Sequence, residues 1–216
     1  MNFSRKGFTL FELLAVLTVI SISLVVLLGA YNAWGTAHAL TGATRVLKAG
    51  LEQARTIAIS QNAYVAFDYG NQQTNDVQTV SGFQLFLCAP TNDTVSTEAA
   101  LQTLTTGADL SDISQNVLAI TPAAPYQRLS GHVQLAYIRE TDLQSITPHP
   151  YNNMTFFFRP DGSVWSDPSD TRAHYLCVYT KERFARGQNA SAPLLRYLRV
   201  DLATGFVTVI EPEVTP

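Results

Sequence analysis

Residues 6–35 read KGFTLFELLAVLTVISISLVVLLGAYNAWG, and the organisation of the whole chain follows from this segment. From Leu13 to Ala37 no residue is charged and most are apolar. At about 1.5 Å of rise per residue, some twenty such residues cross the roughly 30 Å hydrocarbon core of a bilayer, so the segment predicts a membrane-spanning helix. The preceding MNFSRKG is short and polar, and its Arg5 and Lys6 predict an N-terminus held in the cytoplasm with the remainder exported.

A secretory signal peptide shares the basic start and the apolar run, and Ser21-Ile22-Ser23 or Gly29-Ala30 would offer it a small-residue cleavage site. Glu12 separates the two readings. A carboxylate in a membrane helix costs about 2.5–3.5 kcal/mol near the centre and less near the interface, so Glu12 either takes a partner or sits solvated at the headgroup level. A cut between Gly7 and Phe8 places a new amino terminus one helical turn before Glu12, where amine and carboxylate pair. In a filament, a neighbour's amine would serve the same role. Gly7 suits such a cut, because a residue without a side chain lets a protease approach the backbone closely.

The helical signal continues beyond the apolar run. Leu40, Ala43, Leu47, Leu51, Ala54 and Ala58 recur at three- and four-residue steps, with Arg45, Lys48, Glu52 and Arg55 largely off that face, which predicts an amphipathic helix ending near Ser60 at Gln61-Asn62. The pattern then alternates. Strands are expected over Ala63–Tyr69, Phe83–Cys88, Val133–Ile138, Met154–Phe158, Ser163–Trp165, His174–Tyr179, Leu194–Val200 and Phe206–Ile210, with turns at Pro160-Asp161-Gly162 and Ala203-Thr204-Gly205. Residues 89–125 are rich in Thr, Ala and Asp and weakly periodic, and read as a surface insertion with a short helix near Thr97–Thr105. The expected class is α+β: a long N-terminal helix on an antiparallel sheet or two-sheet head. The expected divisions are a leader at 1–7, a membrane helix at 8–35 and a head at 36–216, with helix at 36–60 and β-structure at 63–216.

A length of 216 residues suits one domain plus an appendage, or at most two small domains. Only 14% of the 216 residues are charged, and the net charge is −3. Loss of a leader carrying Arg5 and Lys6 leaves 12 basic against 17 acidic residues, which argues against a globally basic nucleic-acid binder.

Lys6 to Leu14 (KGFTLFELL) resembles the prepilin motif of type IV pilins and type II secretion pseudopilins, with Phe11 in the variable slot. The resemblance implies that a prepilin peptidase cuts after Gly7 and N-methylates Phe8. It implies that Glu12 guides assembly with other pilin subunits and an inner-membrane platform. Three head segments resemble the GspH/FimT-like minor pseudopilins: the helix-to-strand junction Leu51–Asn62, the turn Phe156–Ser163 and the closing hairpin Leu198–Val207. The function implied is a structural subunit, not an enzyme, in a secretion pseudopilus or pilus-like filament. The alternatives are a DNA-binding or adhesive minor pilin, and a membrane-anchored structural protein that forms no filament.

The remaining candidates are few. Cys88 and Cys177 could close a disulfide in an exported head or lie as two buried apolar thiols. His38, His132, His149 and His174 are scattered without metal-ligand spacing, and Asp161, Asp167 and Asp170 lack the alternation of a calcium loop. No nucleophile elbow, phosphate loop or dinucleotide fingerprint occurs, so neither a catalytic residue nor a metal or cofactor is expected. Arg183, Arg186, Arg196 and Arg199, with Phe184 and Tyr197 beside them, would suit DNA, a ligand of some minor pilins in this branch. The acidic end Glu211-Pro212-Glu213 and the strand pattern around Arg196 and Arg199 oppose that reading.

Overall fold

A computed structural model describes residues 10–73, 79–90, 96–97, 101, 118–139, 153–165, 174–180 and 195–211. The chain divides into two units, Met1–His38 and Ala39–Pro216. The division falls within one α-helix, α1, which runs from Leu10 to Gln61.

Among the described residues nine strands follow: β1 (Tyr64–Gln73), β2 (Thr79–Pro90), β3 (Leu118–Pro122), β4 (Gln127–Arg128), β5 (Val133–Arg139), β6 (Asn153–Phe158), β7 (His174–Thr180), β8 (Leu195–Val200) and β9 (Val207–Ile210). They form two antiparallel sheets. One has the order β3-β2-β1-β6 with β4 also on β2, and the other the order β5-β7-β8-β9. The class is therefore α+β, an N-terminal helix followed by antiparallel sheets.

The apolar face foreseen on the helix is the face that is buried. Leu40, Ala43, Leu47, Leu51, Ala54 and Ala58 all enter the main core. The first sheet adds Val65, Phe67, Tyr69, Phe83, Leu85, Phe156 and Phe158, and the second adds Leu135, Leu176, Val178, Leu198 and Val200. These strand residues are spaced by two, as alternation of side chains across a sheet requires. The face of α1 is narrow at Gly50, where a Cβ would lie 2.5 Å from the Phe83 ring. Phe67 stacks on Phe83 beside it, with centroids 4.8 Å apart.

α1 ends at Gln61. Asn62 has φ 49°, its N–H donates to the Ile59 carbonyl at 3.4 Å, and the Ala63 N–H donates to the Ala58 carbonyl at 3.1 Å. This pair of bonds around a left-handed residue is the Schellman arrangement, which asparagine tolerates better than most residues.

Two tight turns meet against the helix. Asp161 accepts from the Ser163 N–H (2.8 Å) and hydroxyl (2.6 Å), and Asp201 does the same for Thr204 (2.8 and 2.7 Å). Gly162 and Gly205 have φ of 85° and 67°, in the left-handed region that favours glycine. A Cβ on Gly205 would overlap the Gly162 carbonyl oxygen. Arg55 of α1 joins the pair: its Nε donates to the Thr204 carbonyl at 2.7 Å, and its guanidinium lies 4.4 Å from the centre of the Phe206 ring.

Two expectations are corrected. Ser163–Trp165 is no strand but a single bridge from Val164 to Phe158. Two bonds make that bridge, the Trp165 N–H donating to the Phe157 carbonyl at 2.7 Å and the Arg159 N–H to the Ser163 carbonyl at 2.8 Å, while the Val164 N–H points away from β6 to the Leu202 carbonyl at 2.8 Å. Nor is the 89–125 segment wholly a surface insertion. It contributes β3, while Leu101 and Leu118 are buried in a second cluster with Ala66, Cys88, Phe157 and Trp165 on the other face of the first sheet. Isolated anchors of this kind leave no periodicity to detect. Thr97 and Leu101 are helical, and the rest of the helix expected over Thr97–Thr105 lies outside the described residues.

Gly205→Ala should destabilise the chain by about 2 kcal/mol, or roughly 4–8 °C in thermal midpoint, because it adds both backbone strain and an overlap. Gly131→Ala, where a Cβ meets nothing within 4 Å, should leave the midpoint nearly unchanged in the same melting experiment.

The turns also make a pH dependence. The Ser163 hydroxyl and N–H hold the Asp161 carboxyl below the usual carboxylate range, and those of Thr204 do so for Asp201. A depressed folded-state pKa gives stability that is present above the unfolded value, near 4, and is lost as pH falls through the folded value. Asp161→Asn with Asp201→Asn should thus lower the midpoint at neutral pH, and the gap to the wild type should close as the pH is lowered below about 4.

Candidate processing and assembly segment

Glu12 lies in the first turn of α1 and is exposed. A carboxylate there faces the positive end of the helix dipole, worth about 0.3–1 kcal/mol. Gly7 and Phe8, the expected cut and methylation site, lie outside the described residues.

Beyond Glu12 the helix is apolar on every side rather than along one stripe. Each described large apolar side chain from Leu10 to Leu27 is at least half exposed. The polar side chains in this stretch are turned inward on the helix itself. The Thr18 hydroxyl donates to the Ala15 carbonyl at 2.7 Å, Ser21 to Leu17 at 2.8 Å and Ser23 to Val19 at 2.8 Å. Such back-bonding satisfies hydroxyls that an apolar environment would leave unpaired. Among the described residues no helix is long and apolar enough to cross a membrane; the side chains of Val26 and of residues 28–33 fall outside them.

The other candidates do not converge. The structure contains no disulfide between Cys88 and Cys177, which are buried in separate clusters on different sheets. Cys88 packs with Ala66, Phe157 and Trp165, and Cys177 with Tyr175, Tyr179, Leu195 and Tyr197, each on the face turned away from the main core. Burial pushes the Cys88 thiol up to about 12, only partly offset by a backbone hydrogen bond from Ala66.

The arginines part in the same way. Arg183 and Arg186 lie outside the described residues. Arg196 pairs with Glu211 at 3.0 Å, while Arg199 sits three residues on in β8. An odd separation along a strand sends two side chains to opposite faces, so these two do not line one basic surface.

His174 is buried, His132 exposed, and His38 packs on Trp34; His149, Asp167 and Asp170 lie outside the described residues. Among the described residues no group of three or more His, Cys, Asp or Glu is placed to hold a metal ion. Asp161 is occupied by its turn.

The feature that sequence reasoning passed over is Arg55 joining the two turns. Its signal was present only as a basic residue one step off an apolar face.

Residues 2–28 match the family described as the prokaryotic N-terminal methylation motif, so the chain carries a prepilin-type N-terminal segment. No curated protein matches the chain. No solved structure matches it.

Native chain treated with a maleimide without reductant should be alkylated slowly or not at all, and after unfolding in denaturant it should take up label at both cysteines. An unfolded, unreduced chain that takes up none would mean a disulfide.

Proposed function

We propose that this chain is a minor pilin-like subunit of the GspH/FimT-like branch, built into a type II secretion pseudopilus or a type IV pilus-like filament. The match of residues 2–28 to the methylation motif carries this reading. A prepilin peptidase cuts between Gly7 and Phe8 and methylates the new terminal Phe8. Residues 8–35 then hold the subunit in the inner membrane, with the N-terminus cytoplasmic and residues 36–216 periplasmic.

The physical work of the subunit is addition to a filament, not chemistry. Helices leave the lipid and bury apolar surface against neighbours. Glu12 sets the register, because a carboxylate packed without an amine opposite it is penalised by about 2.5–3.5 kcal/mol. An all-round apolar helix with its hydroxyls satisfied internally supports this reading, since it suits lipid before assembly and apolar neighbours after it. The Schellman junction into β1, the Asp161 turn and the closing β8–β9 hairpin support the branch.

Mass spectrometry of the chain expressed with a prepilin peptidase should find a mature form beginning at methylated Phe8. A mature start near residue 30 would show an ordinary signal peptide and remove the pilin reading. Glu12→Ala should leave membrane insertion intact and lower recovery in sheared filaments about tenfold or more.

A further inference from the structure

The apolar run of α1 closes on an aromatic pair whose position along the helix is informative. Trp34 is 64% exposed, and its ring meets that of His38 edge to face, with centroids 4.5 Å apart and planes at 84°. The two are neighbours at the i,i+4 spacing on one helix face. Leu13, Ile20 and Leu27 precede Trp34 at seven-residue intervals and are all exposed, so the indole ends an apolar line.

Length makes the position specific. Glu12 and Trp34 are separated by 22 residues of continuous helix, roughly 33 Å at about 1.5 Å per residue. The hydrocarbon core of a bilayer is about 30 Å thick. After Trp34 the composition changes: Thr36, His38, Thr41 and Thr44 follow, and then Arg45, the first residue after Glu12 with a full charge. An indole is a large apolar ring with a single N–H donor, and such rings collect where lipid meets water.

We propose that Trp34, braced edge-on by His38, is the interfacial anchor of this chain: it lies in the glycerol and headgroup layer of the leaflet opposite Glu12 and fixes the depth of the helix. The proposal rests on the membrane-spanning reading above. With Glu12 at one interface and Trp34 at the other, the helix has one resting depth. Sliding one way buries the carboxylate, and sliding the other way carries the indole into water. The His38 ring restricts the rotation of the indole, so its N–H meets lipid carbonyl and phosphate oxygens over a narrow range of depth. The imidazole adds its own polar edge to the same layer.

The full chain is tested in vesicles of phosphatidylcholine and phosphatidylglycerol whose acyl chains carry bromine either beside the glycerol ester or near the terminal methyl. The chain holds two tryptophans, and Trp165 is buried among Ala66, Cys88 and Phe157. The difference between wild type and Trp34→Phe therefore isolates the emission of Trp34 and leaves the core untouched. Bromine beside the ester should quench Trp34 at least about twofold more than bromine near the methyl end. In His38→Ala, made in the wild-type background and in the Trp34→Phe background, that ratio should fall toward one. Stronger quenching by the deep bromine overturns the anchor while leaving the membrane span standing. Absence of quenching by either lipid overturns the membrane-spanning reading together with the anchor. An unchanged ratio in His38→Ala overturns the bracing role of the imidazole.

Discussion

Two sheets close on one helix face, and that shared burial is the constraint on which the second unit depends. Leu40, Ala43, Leu47, Leu51, Ala54 and Ala58 meet strand residues of both sheets in a single core. Leucines supply the volume, and alanines and Gly50 let the aromatic rings of the first sheet approach the helix backbone. Removing a buried leucine from such a site costs about 2–5 kcal/mol, because the rigid surroundings collapse only partly into the space. The strands then follow by parity: every second residue is claimed by this core, and the residues between form separate clusters on the outer faces.

The polar fittings act in the same unit. The Asp161 and Asp201 turns are each closed by a carboxylate on a hydroxyl and an N–H; a Cβ on Gly205 would overlap the Gly162 carbonyl of the other turn, and one on Gly162 would meet Ile59 of α1 at 2.8 Å. Arg55 ties the helix to this pair through a carbonyl and an aromatic ring. Exposed cation–π contacts contribute about 0.5–1 kcal/mol, so Arg55 adds orientation more than stability.

The first unit obeys a different logic. Its helix has no preferred apolar face between Leu10 and Leu27, and its hydroxyls turn back on its own carbonyls. In an apolar surrounding, which the proposed function supplies, the carboxylate of Glu12 would be the most costly group of such a segment to misplace.

Periodicity and local turn chemistry were legible in the sequence because they are properties of neighbouring residues. The helix continuing from the apolar run, the six buried positions of α1 and its end at Gln61, before Asn62, could all be read directly. Seven of the eight expected strands lie within about a residue or two of their place at one end or the other, since alternation marks them. What tertiary structure alone decided depends on residues far apart in the chain. Leu101 and Leu118 enter a core cluster from a segment without periodicity. Val164 makes a single bridge where a strand was expected, and its own N–H goes to the carbonyl of the distant Leu202. Cys88 and Cys177 are assigned to different sheets, and Arg196 and Arg199 to opposite faces of one sheet. Local spacing can state which face of an element is apolar, but only the closing of the two sheets on α1 determines which distant residues that face meets.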